Sequence, residues 1–113
     1  MVRMTASNLD RRVQFRRAVL VDDGFQTVEE WHDHGEPVWA AKRDVSDAER
    51  WNAGRVQATI TTRFTIRWSE FSADLSPTDR LICEGREYEI TGVKETAERR
   101  RMLELSCTAE VSQ

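Results

Sequence analysis

Apolar and polar residues alternate along most of this chain, and the alternation holds longest over residues 57–68, QATITTRFTIRW. Ala58, Ile60, Thr62, Phe64, Ile66 and Trp68 share one side, whereas Gln57, Thr59, Thr61, Arg63, Thr65 and Arg67 share the other. A period of two sustained this far predicts a strand with one dry face and one face of hydroxyls and guanidinium groups. At about 3.3 Å per residue it spans about 40 Å, more than a small β domain needs across its core. One end should therefore project.

The same period recurs on either side. Residues 11–21 alternate with Val13, Phe15, Val19 and Val21 on one side, interrupted by Arg17, and end at the hairpin signal Asp23-Gly24. A return strand is expected through residues 26–33 and a third over 38–43. Residues 46–54 (SDAERWNAG) carry a helix signature: Ser46 and Glu49 have capping-box spacing, and Gly54 stands where a helix end favours glycine. Two turns of helix hold only when packed against something. A polar loop over 69–79 contains Pro77. A second hairpin then turns at Glu84-Gly85, pairing Cys83 with Arg86 and Leu81 with Tyr88, and Ile90 continues the apolar face. The last strand, 102–111, alternates Leu103, Leu105, Cys107, Ala109 and Val111 with polar partners.

These elements predict an all-β fold, a small barrel or sandwich of about six strands, with one short helix in an insertion before the longest strand. The 113 residues suit a single domain over 1–113. Within it, residues 1–8 are expected to be a flexible arm and 44–56 the helix-bearing insertion.

Composition narrows the function. Charged residues make up 33% of the chain and its mean hydropathy is −0.64, so much surface must face water or a partner. No apolar run approaches the roughly 20 residues of a membrane span, and the N-terminus lacks the apolar centre of a secretory signal, so a cytosolic setting is expected. Two cysteines without metal spacing are then expected to be free and buried as small hydrophobes. The net charge of −3 is unevenly spread: residues 1–20 hold five arginines and one aspartate, whereas 21–50 hold nine acids and three bases. A duplex-DNA binder needs a basic excess to neutralise phosphates. Separated patches of opposite sign suit contact with protein surfaces, including other copies of the chain.

Catalytic chemistry finds few candidates. His32 and His34 flank Asp33 and could serve a metal-dependent enzyme, but neither cysteine lies near them in sequence to complete a ligand set. The isolated glycines offer no phosphate-cradling loop. Single-stranded nucleic acid is a second reading, since small β-barrels can stack bases on aromatic, basic faces. Here, however, Phe64 and Trp68 fall on the side opposite Arg63 and Arg67. Trp51, among the polar residues Asp47, Glu49, Arg50 and Asn52, can either pin its helix over a barrel end or anchor a neighbouring subunit. Arg63 and Arg67 are expected to pair with acids of 22–36 or 44–49 on a neighbour.

Taken in order, LDRRVQFRR, VWAAKRDV, AERWNAGRVQA, TRFTIRW, DRLICEGREYEITGV and RRRMLELSC resemble the phage head–tail joining family over about residues 9–108. Its members are head-closure or stopper proteins of long-tailed phages and gene-transfer particles. The chain departs from the pattern at SPTDR, with Phe71 and Leu75 upstream. The resemblance implies a non-enzymatic ring component of the virion neck, built in the host cytoplasm, without cofactor or membrane contact. Implied partners are a portal or adaptor ring protein, a tail-terminator or tail protein, further copies in a ring, and packaged double-stranded DNA in passing. The insertion would border the DNA channel, presenting Ser46, Asp47, Asn52 and Arg55, with Glu49, Arg50 and Trp51 toward a partner. Adaptor and tail-terminator rings use similar small subunits and remain alternatives.

Overall fold

The computed structural model describes residues 9–52, 55–96 and 101–111, with side chains for 9–45, 59–96 and 101–109. Among them run seven strands and one short helix: β1 Arg11–Asp22, β2 Thr27–Asp33, β3 Val38–Asn52, β4 Arg55–Arg67, α1 Glu70–Ala73, β5 Arg80–Cys83, β6 Arg86–Glu95 and β7 Met102–Val111. All pair antiparallel in the order β2-β1-β3-β4-β7-β6-β5, and an additional β1–β5 pairing closes the sheet into a barrel-like ring. The all-β expectation holds.

β1 explains the closure. Val13 faces Val38 of β3 on one edge and Cys83 of β5 on the other. Beyond Arg16 the β5 edge ends, and residues 17–22 pair only with β2. The chain from β2 to β3 passes through His34–Pro37, and the His34 amide still donates to the Phe15 carbonyl at 2.8 Å. β2 and β3 thus follow one another along the same edge of β1. The outer half of β1 and most of β2 extend past the ring as a hairpin, whose base meets β5 where Arg80 lies over the Trp31 ring at 4.2 Å.

Alternation places the core as read. Val13, Phe15, Phe64, Ile66, Leu81, Tyr88, Leu105 and Cys107 are buried to 1% exposure or less. Phe64 meets Tyr88 edge-on at 5.2 Å. Each such ring removes apolar surface worth a few kcal/mol from water, at about 25 cal/mol per Å². Leu81 stands opposite Tyr88 and Cys83 opposite Arg86 as predicted. Glu84 and Gly85 both take positive φ, 52° and 77°, as the tight hairpin turn requires.

The helix predicted at 46–54 is corrected. Residues 46–52 are strand, the outer part of β3, paired with residues 55–61 of β4; Gly54 lies outside the described residues. A cross-strand ladder that satisfies the backbone outweighs a capping-box pattern too short to nucleate a helix. A bulge between Asp44 and Ser46 shifts the register and starts this outer hairpin. The one helix among the described residues is α1, inside the predicted loop. Ser69 caps it, its hydroxyl accepting from the Ser72 amide at 3.0 Å while the Ser69 amide donates to the Ser72 hydroxyl at 2.7 Å.

Candidate functional site

Two surfaces stand out, beginning with the β1–β2 hairpin. Between residues 18 and 36 the chain carries six acids and no lysine or arginine. Asp33 pairs with Arg16, and Glu30 lies 3.1 Å from His32. Among the described residues, Asp22, Asp23 and Glu29 form no ion pair. The turn fixes two of them: Asp22 accepts from the Gly24 amide at 2.9 Å, and Asp23 accepts from the amides of Phe25 and Gln26. The Gln26 amide, then that of Phe25, hold the Asp23 carboxyl below its ordinary pKa. Hydrophobic surface accompanies the charge, since Leu20 is 73% exposed and Phe25, at the turn, 98%.

At its base the hairpin is clamped to the α1 segment. Arg17 follows Val13 and Phe15 on the core side of β1. Its Nε and Nη2 donate to the two carboxylate oxygens of Asp79 at 2.8 and 2.9 Å, while Nη1 reaches Asp74 Oδ2 at 2.7 Å and Nη2 the Asp74 carbonyl at 3.0 Å. The Asp79 side chain is fully buried and also accepts from the Ser76 amide at 3.0 Å. Burial works against its ionisation, but the Arg17 hydrogen bonds, the Ser76 amide and the nearby positive charge outweigh burial and hold its pKa below the ordinary carboxylate value. The same bonds raise that of Arg17. His34 stacks on Phe71 at 5.0 Å, with Nε2 3.9 Å from Asp74 Oδ2. Gly35 takes φ +74°, and a Cβ there would collide with the Phe71 ring, so glycine lets this segment close on the hairpin base.

The second surface is the outer face of β1, β3, β4, β6 and β7. Register puts Arg43 directly opposite Arg63 and Arg63 opposite Ser106, while Thr65 stands between Ala41 and Glu104. Arg12 lies over the Trp39 ring at 4.5 Å, and Trp39 as a residue is 51% exposed. Like charges placed directly opposite destabilise a strand pair. Glu104 is the acid of this patch, 3.8 Å from Arg63 Nε and 3.3 Å from Lys94 Nζ. Even so, Arg63 Nε is buried without a hydrogen-bond partner.

The predicted site residues divide between described and undescribed positions. Arg63 and Arg67 lie on the outer face of β4 as read, but Arg63 already neighbours Glu104 within its own chain, leaving Arg67 the more exposed. Ser46, Asp47, Glu49, Arg50, Trp51 and Asn52 fall on outer β3 and Arg55 on β4 by backbone; their side chains lie outside the described residues. His32 and His34 take different partners, Glu30 and the Asp74–Phe71 pair. Among the described residues no group of three or more His, Cys, Asp or Glu could hold a metal. Both cysteines are free and buried. Sequence reading missed the Arg17–Asp79 clamp, although Arg17 interrupting an apolar alternation was its signal. It also missed Arg43 and the exposed Phe25.

Comparison with known proteins bears on this geometry. A family model described as phage head completion protein matches residues 4–110. A chain in the solved virion of a native gene transfer agent (GTA) particle superposes with a TM-score of 0.75 at 25% identity, covering 91% of this chain and 96% of that one. No curated protein matches.

Proposed function

The chain belongs to the phage head completion protein family, and on that premise we propose that it is a connector subunit of a phage-type neck. It closes the DNA-filled head below the portal or adaptor and offers a platform to the tail. Membership of the family itself carries a structural role in a phage head.

The family match over residues 4–110 carries the reading. The geometry supports it. A closed ring of strands makes a rigid body, and two hairpins reach outward from it, β1–β2 and the outer β3–β4. Projecting hairpins and charged faces are surfaces for protein contact. In this reading copies assemble into a ring, outer β3–β4 borders the passing DNA, and the portal-side and tail-side partners meet opposite ends of the ring. Adaptor or tail-terminator placement is the second reading, favoured by the same small ring-forming shape.

Deleting the gene and imaging the resulting particles tests this. Head closure is expected to leave tailless capsids that lose their DNA. Tailless heads that retain DNA would move the chain to the tail side, and normal particles would overturn both readings.

A further inference from the structure

The two surfaces carry charge of opposite sign. Asp22, Asp23 and Glu29 find no base among the described residues of their own chain, and Leu20 and Phe25 beside them are open to solvent. On the outer face, Arg43 stands opposite Arg63, which neighbours Glu104, Arg67 lies further along β4, and Trp39 is half exposed beneath Arg12. The direct opposition of Arg43 and Arg63 is a cost that an acid from outside would relieve. The hairpin supplies such acids on a strand-and-turn edge, with an aromatic at its tip for the exposed tryptophan.

We infer that the β1–β2 hairpin of one copy docks on the arginine face of the next, its acids on Arg43 and Arg67 and Phe25 against Trp39. The occupant is a second copy of this chain, chosen by charge complementarity: the two surfaces are opposite in sign and both present on every subunit. Such a contact is heterologous, a different patch on each partner, and repeated with a constant rotation it closes a ring. The Arg17 clamp matters here because it fixes the angle at which the hairpin leaves the body. Duplex DNA is the weaker occupant for the arginine face, since the same subunit carries an acidic hairpin and a net charge of −3. The inference rests on the ring reading for its biological setting, but not for its test.

The test is sedimentation velocity on purified full chain at low and high salt. Wild type is expected to self-associate, and raising salt from about 50 to 500 mM should weaken it at least about tenfold. Arg43→Glu with Arg67→Glu should abolish association, and so should Asp22→Lys with Glu29→Lys, each variant keeping a wild-type circular dichroism melt. Mixing the two should restore it, because each reversed surface then meets a complementary one; misfolding could not produce that rescue. A wild type that stays monomeric at millimolar concentration and low salt overturns the inference, as does a mixture that stays dissociated. So does an arginine variant that loses duplex DNA in a mobility shift while its sedimentation is unchanged, which would give the face to nucleic acid. Self-association with this rescue, alongside normal particles from the gene deletion, would sink the neck reading and leave the docking intact.

Discussion

The two halves of β1 share one strand and one alternation but meet opposite fates. In the inner half Val13 and Phe15 are fully buried, with β3 and β5 along the strand's edges. In the outer half Val19 and Leu20 are 44% and 73% exposed, with only β2 alongside. Arg17 stands at the border, tied to Asp79 and Asp74. An apolar residue in a strand therefore signals a surface to be covered, not who covers it. In the inner half the chain covers it; in the outer half the described residues leave it open.

The contrast can be broken first where it is strongest. Phe15→Ala should cost about 3–5 kcal/mol in urea unfolding, the usual cost of emptying an aromatic site in a core. Leu20→Ala should change stability by no more than about 0.5 kcal/mol, as at an open surface. Equal losses at both positions would show that the outer half is covered within its own chain.

The border comes next. Asp79→Ala leaves Arg17 without its bidentate partner and should cost about 2–3 kcal/mol. That is less than the roughly 3–5 of a sealed pair, because Arg17 keeps 34% of its side-chain surface in water. The pH dependence has a definite sign. Because the folded carboxyl is held below its unfolded value near 3.9, its contribution is fully present above that value. It is lost as pH falls through the lower folded pKa. An acid titration of stability should accordingly be flatter below about pH 4 in Asp79→Asn than in wild type.

The smallest effect lies beneath the inner half. Burial raises the Cys83 thiol pKa and pushes that of Cys107 up to about 12. A thiol reagent at pH 8 should leave Cys107 unmodified until the protein unfolds, whereas labelling in the folded state would mean that this side of the ring opens.

Much of the fold was legible in the residues because a period of two and the tight turns are local. The β5–β6 register, the core face of β4 and the buried cysteines all follow from spacing within a few residues. The helix at 46–54 failed because a capping-box pattern reads only its own turn, whereas the backbone of this segment is satisfied across a hairpin by the strand at 55–61 that follows it. Closure of the sheet was equally hidden, since it joins Val13 to Cys83. At the charged surfaces, Arg63 and Arg67 could be read from one strand alone. Arg43 could not, because its standing opposite Arg63 depends on cross-strand register.

The seam between β1 and β5 has a consequence for synthesis. It is short, running from Val13 opposite Cys83 to Arg16 opposite Arg80, and it unites segments from opposite ends of the chain. While the polypeptide is being made, the first hairpin can zip up from its own turn, but the strand edge at Phe15 has no β5 partner until residues 80–83 have left the ribosome. Contacts this remote in sequence are the slow ones to form. The nascent protein therefore carries an apolar inner strand whose second edge stays open until β5 arrives, so the ring shuts late in synthesis.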